Sequence, residues 1–120
     1  KEGAYKESRR ELAWRARKLE SELLEVYFKP EECQLIRKNL ESFVDAYFDR
    51  SGNIKNIPID LANHLCEVFT STGGIEDIDR EIVRFKAFEA AGQTQLSLRL
   101  HDDPMQALDL IGQMVIPHFK

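Results

Sequence analysis

Cysteine is scarce in this chain: Cys33 and Cys66 are the only two. Each falls inside an apolar helical pattern, where a free thiol acts as a small buried hydrophobe, so no disulfide framework is implied. Long hydrophobic runs are missing too. No stretch approaches the roughly 20 apolar residues that a bilayer span requires, and the N-terminus is charged rather than shaped like a signal peptide. The expected compartment is therefore the cytoplasm. A surplus of positive charge is also lacking: the formal net charge of −4 argues against nucleic acid as a partner, because phosphate binding needs Lys and Arg gathered on one face. The basic cluster Lys6, Arg9, Arg10, Arg15, Arg17, Lys18 is interleaved with Glu7, Glu11 and Glu20 and reads as a solvated helix face. The first residue is Lys1 rather than Met, a hint that the chain is a fragment.

What is present is amphipathic helix. Leu12, Ala16, Leu19, Leu23 and Tyr27 recur at helical spacing, which predicts one long helix over 5–28. Pro30 suits a first helical position, and Glu31 and Glu32 put negative charge in the first turn. A second helix is thus expected over 31–48, with Cys33, Ile36, Leu40, Phe43 and Tyr47 on one side. The turn-forming run Asp49-Arg50-Ser51-Gly52-Asn53 ends it. Ile59, Leu61, Leu65 and Val68 then predict a short third helix over 59–66.

From residue 67 onward the pattern changes. Val68-Phe69-Thr70-Ser71-Thr72 is β-branched and aromatic before Gly73-Gly74, which suggests a short strand, although the same residues would also serve as the end of the third helix. Ile75, Ile78, Ile82, Phe85 and Phe88 line one side of a helix that closes at Gly92. Leu96, Leu98 and Leu100 alternate with Ser97 and Arg99, the period of a strand. Asp103 as cap and Pro104 at the first position open a last helix, with Met105, Leu108, Ile111 and Val115 turned inward and a stop at Pro117. Residues 67–120 therefore spell strand, helix, strand, helix. The expected class is α/β, mostly helical, with two short parallel strands that other elements must cover.

The run Gly73-Gly74-Ile75-Glu76-Asp77-Ile78, the segment Arg84-Phe85-Lys86-Ala87-Phe88-Glu89-Ala90-Ala91-Gly92, the strand Leu96–Leu100 and Asp103-Pro104-Met105-Gln106-Ala107-Leu108 together resemble the end of a luciferase-like monooxygenase. The resemblance covers about the last two fifths of the chain. It implies the closing segment of a (β/α)8 TIM barrel, whose full chain transfers hydride or oxygen through FMN or a deazaflavin coenzyme on a small organic substrate. A complete barrel takes about 250 residues, so the segment alone would be inactive. Within it, Ser97 and Arg99 would point into the barrel, with Arg99 the leading candidate for a cofactor contact or an arginine paired with Asp102. Thr72, Gly73 and Gly74, running into a helix N-terminus, would receive a phosphate or simply form a strand-to-helix turn.

Other constellations carry less. In His101-Asp102-Asp103 the neighbours alternate faces, and Asp103 is better explained as a cap. Asp49, Ser51, Asn53, Lys55 and Asp60 mimic a calcium loop, but Ile54 stands where glycine is needed. His64 and Cys66 lack a second pair of metal ligands. Trp14, Tyr27, Phe28, Phe43, Tyr47 and Phe48 concentrate aromatic area in the first two helices, as a core or as an interface. A homo-oligomer formed by helix exchange is expected for a truncated barrel. The competing reading is a small helical domain that binds a protein partner through those aromatic helices, without catalysis.

Overall fold

A computed structural model describes residues 2–19, 22–100 and 103–120, with the side chains of 13–19 left aside. The chain divides into two compact units, Lys1–Thr72 and Gly73–Lys120. In chain order the α-helices are α1 (Glu2–Leu19), α2 (Leu23–Tyr27), α3 (Pro30–Lys38), α4 (Leu40–Phe48), α5 (Ile59–Phe69), α6 (Ile78–Ala90) and α7 (Pro104–Leu110). No strand occurs among the described residues. The α/β expectation, with its parallel strands and TIM-barrel closure, is therefore corrected: the fold is all-helical.

In the first unit, α1 lies mainly against α4 and also touches α5 and α2. Tyr5 and Leu12 from α1, Phe43 and Ala46 from α4, and Leu61, Leu65 and Cys66 from α5 are buried together, joined by Leu24, Phe28, Cys33 and Ile36. Both thiols are free and buried, as their apolar surroundings predict. Burial pushes the Cys33 thiol up from its ordinary pKa, which keeps it protonated and unreactive.

The expected helix over 5–28 is described as α1 and α2, with residues 20 and 21 outside the described set. In α2 the inner face is not the expected one: Leu24 is fully buried, while Leu23 and Tyr27, expected on the inner side, are more than half exposed. The expected helix over 31–48 is broken at Asn39. Its backbone leaves the helical region, its Nδ2 donates to the Leu35 carbonyl at 2.8 Å, and its Oδ1 accepts from Asn56 Nδ2. An amide side chain that bonds the preceding turn in this way competes with the backbone and ends a helix.

The loop after α4 is built from local polar contacts. Asp49 Oδ1 accepts from the Ser51 N–H and Ser51 Oγ from the Asn53 N–H, the turn chemistry expected of these residues. Ser51 holds the Asp49 carboxyl below its ordinary pKa. Among the described residues no group of carboxylates, His and Cys is arranged to hold a metal. Gly52 sits at φ +66, and a Cβ there would lie 2.7 Å from the Lys6 carbonyl oxygen. Gly52→Ala should therefore cost about 1–3 kcal/mol through left-handed strain and a backbone clash, read as a lower urea midpoint.

The strand expected over Val68–Thr72 does not form. Leu61, Leu65, Val68 and Phe69 continue one helical stripe, so α5 runs on to Phe69. Thr70 then stops it, with its N–H and its Oγ1 both donating to the Cys66 carbonyl. No strand forms at Leu96–Leu100 either: none occurs among the described residues, and a lone strand cannot satisfy its backbone in a sheet. The segment has no regular secondary structure, and Leu96 and Leu98 are exposed.

In the second unit a 3-10 turn over Ile75–Asp77 leads into α6. Gly92 takes φ +98 beyond its end, and Gln93 N–H bonds to the Phe88 carbonyl, the glycine stop the pattern predicts. Asp103 caps α7, its Oδ1 accepting from the Gln106 N–H at 3.1 Å. The last helix is not uniform. A π-turn over Ile111–Val115 and a 3-10 turn over Ile116–Phe119 follow α7, because Pro117 has no N–H with which to continue an α ladder. Met105 and Leu108, expected inward, are exposed. Ile82 and Phe85 are the two buried apolar residues described in this unit.

Candidate functional site

The residues nominated for a cofactor fall into different settings. Thr72 is buried and hydrogen-bonded to the hydroxyls of Ser8 and Thr70, which gives it a place in the packing of the first unit. Gly73 and Gly74 form the turn before the 3-10 helix, and the Gly74 N–H donates to Asp77 Oδ2 at 2.8 Å. The chain's own carboxylate thus takes the donor that a phosphate would need. Ser97 and Arg99 lie exposed in the irregular stretch between α6 and α7 and line no barrel interior. His101 and Asp102 lie outside the described residues.

One feature missed in the sequence is a polar seam on α1. Arg9 is 3% exposed, not part of a solvated face. Its Nε donates to the Gly52 carbonyl at 2.8 Å, Nη1 to Asn63 Oδ1 at 2.7 Å and Nη2 to Glu2 Oε1 at 2.6 Å. Along the same face Tyr5 donates to Glu67 Oε1, and Ser8 meets Thr72. The seam ties α1 to the loop and to α5. The spacing held the signal: Tyr5, Arg9 and Leu12 follow one helical stripe, which places Arg9 between two core residues. The hydrogen bond from Arg9, and then its charge, hold the exposed Glu2 carboxyl below its ordinary pKa of 4.5. Its contribution to stability is fully present above that value and lost as the pH falls through the lowered one.

The second feature is a cleft of about 490 Å³ between α3 and α5. Half-buried Leu35 and buried Leu61, with Pro58, give it an apolar base. Glu31 and Glu32 from the first turn of α3, and Asp60 from the first turn of α5, place three carboxylates around it. Glu32 Oε2 accepts from the Lys29 backbone N–H, which closes the start of α3. Glu31 and Asp60 make no ion pair among the described residues, and Arg37 of α3 is taken by Glu25 at 2.9 Å. His64 completes the wall and packs on Phe28 with ring centroids 4.8 Å apart. Phe28 in turn stacks on Phe69, and Phe69 meets the exposed Tyr27 edge-on. Sequence reasoning located both helix starts, but nothing in the spacing shows that they face one cleft.

No nucleophile with an activating partner stands at this cleft. No helix among the described residues is long and apolar enough to cross a membrane. No protein-family model matches the sequence, and the searches of curated proteins and of solved structures find no match.

Proposed function

We propose that this chain is a non-catalytic helical domain that works by protein–protein association, as a binding module or by dimerisation. The observation that carries the reading is α2. Leu24 alone anchors this single turn of helix in the core, while Leu23, Val26 and Tyr27 are 54%, 70% and 55% exposed. Three large apolar side chains offered together to solvent on a short, well-anchored element are characteristic of an interaction surface. Aromatic residues contribute most at such surfaces, and Tyr27 supplies one with a polar tip. The luciferase-like oxidoreductase reading requires strands on which to mount a cofactor. The described residues of this chain contain none.

The test is a titration of the purified chain with FMN and with a deazaflavin coenzyme, followed by cofactor fluorescence, beside sedimentation velocity over a range of protein concentration. The expected result is no change in cofactor fluorescence and association that the double substitution Val26→Ser and Tyr27→Ser reduces without altering the helical circular dichroism. Stoichiometric cofactor binding would overturn the proposal.

A further inference from the structure

We infer that the α3–α5 cleft is a docking site for a cationic, leucine-bearing segment of a partner protein. This rests on the interaction-domain reading above and assigns it a second, chemically distinct surface. The cleft and such a segment are complementary in shape and charge. The base of the cleft is apolar, through Leu35 and Leu61, and so suits a large aliphatic side chain. Its rim carries Glu31, Glu32 and Asp60, and the exposed carboxylates Glu31 and Asp60 form no ion pair among the described residues.

Each of these acids favours its own helix start through the macrodipole, which accounts for their presence one helix at a time. It does not account for two such starts opening on a shared apolar hollow. Lys or Arg side chains flanking a Leu or Met would pair with the rim while the aliphatic group fills the base, the arrangement by which an amphipathic segment enters a groove. An acidic segment would meet like charge on most of the rim and be excluded. The cleft volume, about 490 Å³, admits one or two large side chains rather than a whole helix, so the segment would be read through a single anchor. His64 extends the contact surface toward the Phe28–Phe69 cluster.

The experiment is an amide chemical-shift titration of the full chain with a synthetic peptide of lysine and leucine at helical spacing. A counterpart peptide carries glutamate in place of lysine. Saturable shifts at Leu35, Asp60, Leu61 and His64 are expected with the lysine peptide and not with the glutamate peptide. The double variant Glu31→Gln, Asp60→Asn, which keeps shape and removes charge, should bind about fivefold or more weakly with an unchanged helical spectrum. Equal binding of both peptides, or an affinity unaltered by the double variant, would overturn the assignment. Shifts confined to Leu23, Val26 and Tyr27 would also overturn it while leaving the interaction-domain reading intact. Self-association of the chain that the double variant abolishes would give the cleft to a second copy and likewise refute it.

Discussion

Arg9→Ala is expected to destabilise the first unit by about 3–4 kcal/mol, among the largest effects of any single substitution in the chain. The guanidinium is almost wholly buried and donates to the Gly52 carbonyl, to Asn63 and to Glu2. Removing it leaves the buried Gly52 carbonyl and the half-buried Asn63 Oδ1 without their donor, costing about 1–3 kcal/mol for the buried one and less for the other, and also removes the apolar stem that fills the space beside them. The effect should be graded. Arg9→Lys, with a point-like ammonium in place of a planar fork, reaches some of these acceptors but not all and should cost about half as much. Glu2→Gln should change stability little, because Glu2 is 68% exposed. Urea unfolding of the three variants gives the comparison. An Arg9→Ala variant as stable as the parent would mean that the seam between α1, the loop and α5 is not formed.

Phe43→Ala should cost a further independent amount, about 3–5 kcal/mol, by loss of transfer energy and by the cavity left behind. Phe43 is fully buried on α4, the helix with which α1 makes its most extensive contact. Phe48, on the same helix, is 76% exposed, and Phe48→Ala should be close to neutral for folding. The pair separates aromatic residues that build the core from those that remain on the surface, two roles the sequence presents alike. Equal losses from the two substitutions would contradict the burial pattern of α4.

Helix positions were legible wherever a stripe and its punctuation agreed. Pro30 and Pro104 mark helix starts, Gly92 a helix end and Asp103 a cap, and the structure places each in that role. The failures occur where local pattern and tertiary context diverge. Val68–Thr72 has strand-like composition, yet α5 reaches Phe69, since the stripe from Leu61 continues and packing outweighs the β preference of single residues. Leu96–Leu100 alternates as a strand should, but alternation states only which way side chains point. A sheet needs a second strand, and the described residues hold none. Asn39 was hidden inside an otherwise continuous apolar pattern, because its helix-breaking contact depends on Leu35 behind it and on Asn56 across the loop. The cleft was illegible for a similar reason: Glu31 and Asp60 are 29 positions apart, and each is self-explanatory as a first-turn acid. Arg9 was the more avoidable miss, since its place between Tyr5 and Leu12 on the inner stripe was visible in the spacing.

Hydrogen exchange at the amides of Leu96, Leu98 and Leu100 tests the all-helical fold most directly. Among the described residues these groups make no backbone–backbone hydrogen bond, so they should exchange nearly as fast as an unstructured peptide while the amides of α4 and α5 remain protected. Slow exchange at alternate positions from 96 to 100 would reveal a paired strand, restore the α/β architecture and contradict the interaction-domain account.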